Sequence, residues 1–398
     1  EIPENREALP GLPVFLSQIY SARGVTSPSE LSLELQGLMD SSKLKGIDQA
    51  VHLLVDALQK GQKIIIVGDF DCDGATSTAL AVHALNSMGA DNCQYLVPNR
   101  FEFGYGLTPE IVDLAATKHP DLIVTVDNGI ASLEGVSRAK SLGIKVLVTD
   151  HHLPGDELPN ADAIVNPNQP NCQFLSKNAA GVGVIFYVMN SLRSALRSNN
   201  WFIQKAIPEP NMGHYLDLVA LGTVADLVPL DKNNRILVEQ GLRRIRAGRC
   251  RPGIRAILAQ GQKTIAQVKA SDMGFVVGPR LNAAGRLDDM SLGIECLLAE
   301  DEMTATGFAN KLDQLNQERK TIEQDMKHDA DIQLKGMFPN DSEKTTENNS
   351  STLGNANWGL CLYEAHWHQG VIGILASRVK EKFHRPVIIF APADDDPT

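Results

Sequence analysis

Four β-branched apolar residues, Ile64-Ile65-Ile66-Val67, stop at Gly68 and are followed by aspartates at every second position, Asp69, Asp71 and Asp73. A run with no polar alternation fits a strand buried on both faces, the condition of a parallel sheet covered by helices. Gly74-Ala75-Thr76-Ser77 then opens a helical apolar pattern, Leu80, Ala81, Ala84, Leu85 and Met88, so the acids stand where a strand hands over to a helix. In open α/β sheets that carboxyl-terminal edge is where ligands bind. Carboxylates so close together repel unless a cation neutralises them. The stretch therefore predicts an α/β fold with a hard-metal site at its sheet edge, against the plainer reading of a solvated acidic turn.

The same alternation continues along the chain. Residues 48–60 read as an amphipathic helix with Val51, Leu54, Val55 and Leu58 on one face. Tyr95-Leu96-Val97 reads as a strand, Thr108-Pro109-Glu110 as a capped helix start, residues 122–126 as a strand, a helix follows to Leu142, and Val146-Leu147-Val148 is the next strand. Single helices between strands imply right-handed crossovers and a largely parallel sheet. Two of these strands also end in polar chemistry, Asp127-Asn128-Gly129 and Asp150-His151-His152. A lone aspartate after a strand is ordinarily a helix cap and a lone histidine pair is ordinarily packed or solvated. Their recurrence at one sheet edge shifts the balance toward metal binding. Carboxylates with imidazoles and no thiolates favour Mg²⁺ or Mn²⁺ over zinc, and the imidazoles tilt the choice toward Mn²⁺.

Length and charge bound the rest. With 398 residues the chain predicts two or three domains, and its 43% hydrophobic and 21% charged residues are those of a soluble globular protein. A net charge of -11 argues against coating nucleic acid by bulk electrostatics. Six cysteines without a C-x-x-C pair indicate neither a disulfide framework nor a zinc knuckle and fit a reducing, cytoplasmic setting. No stretch reaches the ~20 apolar residues of a membrane helix, no signal-peptide order opens the chain, and both ends read as trimmed.

Taken together the motifs resemble those of the DHH phosphoesterases. Asp69-x-Asp71-x-Asp73-Gly74, Val126-Asp127-Asn128-Gly129 and Asp150-His151-His152 match the first three, and Asp226, after the apolar residues 216–225, matches the fourth, with Asp217 in reserve. Val97-Pro98-Asn99-Arg100-Phe101, Gly104-Tyr105-Gly106-Leu107 and Gly278-Pro279-Arg280-Leu281-Asn282-Ala283-Ala284-Gly285-Arg286 extend the likeness, over nearly the whole chain, to the family's bacterial single-strand-specific exonucleases. The resemblance implies hydrolysis of single-stranded DNA from its 5′ end to 5′-mononucleotides, in repair and recombination. It implies two ions, Mn²⁺ or Mg²⁺, bridged by Asp127, with Asp71, His151 and Asp226 completing one site, and Asp69, Asp73 and His152 serving the other or its waters. Asp127, His151 and His152 are the expected catalytic residues. Relatives often carry a histidine where this chain has Ile65, which weakens the expected second site. Single-strand-binding protein and a RecQ-type helicase are implied as partners, with no membrane.

For substrate binding the resemblance points to Arg280, Asn282 and Arg286 in a Gly/Pro-punctuated loop, where forked guanidinium groups suit phosphate oxygens. Phe101, Phe103 and Tyr105 alternate with polar residues and suit base stacking, with loop packing as the alternative. Arg243, Arg244, Arg246, Arg249, Arg251 and Arg255 make either a positive face or a salt-bridged helix. His368, in His366-Trp367-His368-Gln369-Gly370, reads as structural or substrate-lining, since no acid stands beside it at ligand spacing.

The expected organisation is an N-terminal helical extension (1–46) with brief helices at 13–21 and 28–39, a parallel-sheet DHH catalytic domain (47–300), a long connecting helix (301–338) and a smaller, partial DHHA1-like α/β domain (339–398). In the last, residues 339–358 read as a mobile low-complexity loop, 359–363 as a strand, 369–382 as a helix and 387–390 as a strand. Other readings are a different DHH activity on oligonucleotides, cyclic dinucleotides or pyrophosphate, and a non-catalytic DNA-binding scaffold. An aspartyl-phosphate phosphatase would leave Asp150-His151-His152 unexplained.

Overall fold

The computed structural model describes residues 9–99, 103–337 and 358–393. After the short helix α1 (Val14–Ala22) and α2 (Ile47–Gln59), strands β1 (Ile64–Val67), β2 (Cys93–Leu96), β3 (Leu122–Val126), β4 (Lys145–Thr149) and β5 (Ala163–Val165) build one sheet in the order β2-β1-β3-β4-β5. Every neighbouring pair is parallel. The order reverses between β1 and β3, and such a reversal leaves a crevice at the carboxyl ends of those two strands. The connecting helices are α3 (Cys72–Ser87), α4 (Pro109–Ala116) and α5 (Leu133–Ser141).

Burial on both faces explains the unbroken apolar runs. Ile64 and Ile66 point into one core with α2 and α3, whereas Ile65 and Val67 point into a second with α4 and α5. Leu122 and Val124 repeat the first face and Ile123 the second, as a period of two requires. Ile65 is thus a core residue.

A helical layer closes the first face: α6 (Gly181–Ser198), α7 (Leu216–Ala225), α8 (Lys232–Arg246), α9 (Pro252–Gln260), α10 (Gly278–Leu287) and α11 (Ser291–Leu298). The 36-residue α12 (Glu302–Met337) follows, roughly 54 Å long at 1.5 Å per residue. Its first half contributes Ala305, Ala309 and Leu312 to the main core. Its second half contributes Met326, Ala330 and Leu334 to a separate core with Leu360, Trp367, Leu375 and Ile389. That second core belongs to β6 (Leu360–Tyr363), α13 (Ile372–Phe383) and β7 (Val387–Phe390), the two strands being parallel. No helix among the described residues is long and apolar enough to cross a membrane.

The α/β class and the long helix match the sequence expectation. Some local readings do not. Residues 28–39 form two single 3-10 turns, Pro28–Leu31 and Leu35–Gly37, rather than a helix. The supposed Gly/Pro loop at 278–286 is helix α10, with Pro279 in its first turn, entered directly from a π-helical turn at Met273–Val277. The low-complexity segment at 339–358 lies outside the described residues except for Trp358, and Phe101 lies outside them too.

Candidate metal centre

Asp69, Asp71 and Asp73 leave β1 in three different environments. Asp69 accepts the Phe70 N–H at 2.7 Å. Asp71 is the N-cap of α3, and its Oδ1 accepts the Gly74 N–H at 2.9 Å, leaving the other oxygen uncommitted to the cap. Asp73, in the first turn, is buried and accepts Gly181 N–H at 2.6 Å and Val182 N–H at 3.0 Å. Those donors are the start of α6, whose partial positive charge favours a carboxylate there. The close approach needs glycine twice: a Cβ on Gly181 would stand 2.7 Å from Asp127 Oδ1, and one on Gly222 would stand 2.6 Å from Asp73 Oδ1.

Asp127 ends β3 with φ +63°, a left-handed conformation uncommon outside glycine and asparagine. The turn is fixed from below. Asn128 donates to Val67 O at 3.2 Å and Val126 O at 3.0 Å, tying β3 to β1, and Thr125 Oγ1 donates to Asn128 O at 2.7 Å. Asp150, after β4, is likewise buried. Its Oδ1 accepts His151 N–H at 2.7 Å and His152 N–H at 3.1 Å and lies 2.8 Å from His152 Nδ1, while Oδ2 accepts Ile130 N–H at 2.8 Å. Asn168 donates to His151 O at 2.6 Å and Asn166 to His152 O at 3.0 Å. The histidine pair is thereby held on both its N–H and its C=O sides.

These elements converge at the sheet's switch point. His151 Nε2 lies 3.1 Å from Asp127 Oδ1, 3.5 Å from Asp226 Oδ2 and 4.0 Å from Asp73 Oδ2. His151 Nε2, Asp127 Oδ1 and Asp226 Oδ2 are all buried with no hydrogen-bond partner. Leaving three buried polar atoms unsatisfied is costly. Their donor types, carboxylate and imidazole, are those of a divalent cation. Three sets of side chains offer ligand atoms within 4.8 Å of one another: Asp73-His151-Asp226, Asp69-Asp71-Asp127 and Asp127-His151-His152. The residues present fit two ions. The grouping differs from the sequence expectation in one exchange: Asp73, not Asp71, joins His151 and Asp226, because the α6 N-terminus draws Asp73 inward while capping keeps Asp71 at the lip.

Electrostatics bears the imprint of this crowding. Burial first, then the neighbouring acids, push Asp127 well above the carboxylate range and raise Asp73 and Asp226 to about 7. Burial lowers His151. His152 goes the other way, to about 9, because of its hydrogen bond with Asp150. Burial opposes ionisation of Asp150, yet its bonds with His152 and to backbone N–H groups hold its pKa below the usual value.

Other sequence candidates scatter. Tyr105, half exposed, meets His152 edge-on with ring centroids 5.9 Å apart and Phe70 at 6.0 Å. Asn282 and Arg286 line the adjoining cavity of about 840 Å³ together with Asp69, Asp71 and His152. Asn282 Oδ1 accepts Cys72 N–H at 2.7 Å and so buttresses the acidic turn. Arg286 donates to Gly370 O at 3.1 Å, and His368 Nδ1 accepts Gly370 N–H at 3.0 Å, which places this strap of the small lobe against α10.

Arg280 is not presented to substrate as expected. It is only 8% exposed, its Nε and Nη2 each lie 2.8 Å from Asp313 Oδ1, and its Nη1 donates to Val276 O. It joins α10 to α12. Asp217, the reserve ligand, is buried in a pair with Arg251 at the far end of α7. Asp226 at the near end is the one that reaches the cluster. Sequence reasoning missed Asp150 as the orienting acid, the α6 N-terminus and Asn166/Asn168. The signals were Gly181-Val182-Gly183 and Asn166-Pro167-Asn168, both of which follow elements too short or too irregular to read.

Comparison with known proteins accords with this geometry. Residues 63–223 match the model of the DHH family, N-terminal domain. The crystal structure of exonuclease RecJ bound to manganese is 34% identical, with a TM-score of 0.73, over 87% of this chain and 80% of that one. The chain belongs to the DHH family. The crystal structure of RecJ in complex with Mg²⁺ from Thermus thermophilus is 28% identical with a TM-score of 0.67, over 97% of this chain and 51% of that one. The single-stranded-DNA-specific exonuclease RecJ of Salmonella typhimurium is 55% identical over 395 residues, 99% of this chain. The chain spans 66% of that curated relative's length.

Proposed function

We propose that this chain is the catalytic portion of a metal-dependent exonuclease that hydrolyses single-stranded DNA from the 5′ end to mononucleotides, in DNA repair and recombination. The observation that carries the reading is the set of unpartnered buried atoms on Asp127, His151 and Asp226. The names of the relatives supply the substrate, and two of the solved relatives hold Mn²⁺ or Mg²⁺.

In this reading Asp73, His151 and Asp226 would hold one ion and Asp69 and Asp71 the other, with Asp127, which lies beside His151 and in the group with Asp69 and Asp71, available to either. Divalent ions bound there supply the Lewis acidity and water activation that phosphodiester hydrolysis requires. His152, kept protonated by Asp150, offers positive charge to a phosphate oxygen. Tyr105 stacks on an unpaired base. Arg286, Asn282 and His368 belong to the substrate side of the cavity, where Asn282 acts by fixing the turn that carries Asp71. We extend to this chain a division into 1–46, 47–300, 301–338 and 339–398, a cytoplasmic setting, and single-strand-binding protein and a RecQ-type helicase as partners.

Digestion of single-stranded DNA labelled at either end, with Mn²⁺ or Mg²⁺ and with duplex DNA and pyrophosphate in parallel, tests the reading. Mononucleotides released from the 5′ end of single strands alone are expected. Cleavage of pyrophosphate with DNA left intact would redirect it to a smaller phosphoester.

A further inference from the structure

The arginines of residues 243–255 divide into two groups. Arg243 pairs with Glu34 and Glu239, Arg246 with Glu239, and Arg255 with Glu302. Arg244 and Arg249 make no ion pair among the described residues. Both line a cavity of about 310 Å³ with Arg251, His83 and His214. Its acids are Asp217, bound to Arg251, and Glu300 at the rim. Three guanidinium groups thus face two carboxylates, one of them already engaged.

Nitrogen atoms there lack partners. Arg244 Nε, Arg251 Nε and His83 Nε2 are buried without a hydrogen bond. Arg251 is fixed in place: Nη1 donates to His214 O at 3.0 Å, and its guanidinium carbon lies 5.3 Å from the Tyr215 ring centroid. Burial together with Arg251 and Arg249 lowers the Arg244 pKa, with Asp217 opposing only in part. A cavity with surplus, unsatisfied donors is complementary to an anion. Planar forked donors suit the tetrahedral oxygens of phosphate.

The cavity is separate from the metal centre. His83 lies ten residues beyond Asp73 on α3, and Asp217 nine before Asp226 on α7, which puts it about 13 to 15 Å away along both helices. We propose that Arg244, Arg249 and Arg251 form a second anion site that takes a phosphate group, either of a free phosphate compound or of a nucleic-acid backbone, remote from the acidic cluster.

Arginine footprinting tests it on the intact chain. Phenylglyoxal modification of each arginine is followed by peptide mass spectrometry in EDTA, with inorganic phosphate, a single-stranded oligonucleotide or neither. Phosphate is expected to slow modification of Arg244 and Arg249 several-fold while leaving Arg243 unchanged. Protection by the oligonucleotide at concentrations where phosphate has no effect would assign the backbone as the source, and protection by phosphate alone would assign a free anion. An Arg244→Gln/Arg249→Gln variant should lose about tenfold or more in affinity for the protecting anion while keeping its circular dichroism spectrum. Unchanged rates at Arg244 and Arg249 with both probes, or equal protection of Arg243, would overturn the proposal.

Discussion

Helix α7 has an aspartate at each end, Asp217 buried in its first turn and Asp226 half-buried at its C-cap, and the two have opposite fates. Asp217 meets Arg251, accepts its backbone N–H at 2.8 Å, and is satisfied within the protein. Asp226, at the other end, meets Asp73, Asp127 and His151 and leaves one oxygen unpaired. The same side chain on the same helix is a structural tie in one place and half a ligand set in the other. What separates them is whether the fold supplies a counter-charge. A protein that gathers three carboxylates around one histidine, with no arginine or lysine paired to them among the described residues, has left the neutralising charge to something it binds.

Breaking the unpaired end should cost function first. Asp127→Ala is expected to lower hydrolysis to below about a few per cent, because it removes the carboxylate common to two ligand sets; single-turnover digestion of labelled single strands checks this. Breaking the paired end should cost stability instead. Asp217→Asn leaves Arg251 buried without its partner and should destabilise by roughly 3 kcal/mol or more, read by urea unfolding, with Mn²⁺ affinity unchanged. A smaller effect sharpens the contrast. Asp150→Asn keeps all ligands but loosens the histidine pair, so activity should fall about 10- to 100-fold and Mn²⁺ affinity should drop with it, as isothermal titration would report.

How much of this was readable in the sequence follows from the same contrast. β1, β3 and β4 announce themselves because burial on both faces demands unbroken β-branched runs, and the acids after them follow directly. The strand β5, only three residues long, has too little pattern to be seen. Its loop nevertheless supplies Asn166 and Asn168, so the fixing of the histidine carbonyls was invisible. Arg280 shows the opposite failure. Glycine and proline around it suggested a loop, but Pro279 sits in the first helical turn and Gly278 and Gly285 allow close packing, so the residue lies in a helix with its charge spent on Asp313. Local composition could not reveal a partner 33 residues away. Similarly, the placement of Asp73 beside His151 and Asp226 rests on the α6 N-terminus, which comes more than 100 residues later.

Thermal unfolding of Asp127→Asn beside the unaltered chain, with EDTA and with Mn²⁺, tests the central claim most directly. Asparagine tolerates the left-handed backbone at this position, so the change is one of charge. Asp73 and Asp226 are raised to about 7 and Asp127 well above the carboxylate range, so at and above neutral pH each acid costs the folded state more than the unfolded one. Without metal, Asp127→Asn should therefore melt higher than the unaltered chain. With Mn²⁺, the unaltered chain should gain stability through binding and the variant much less. A variant that melts lower in EDTA, as Asp217→Asn should, would mean that the protein already neutralises this cluster and that no cation is needed to explain it.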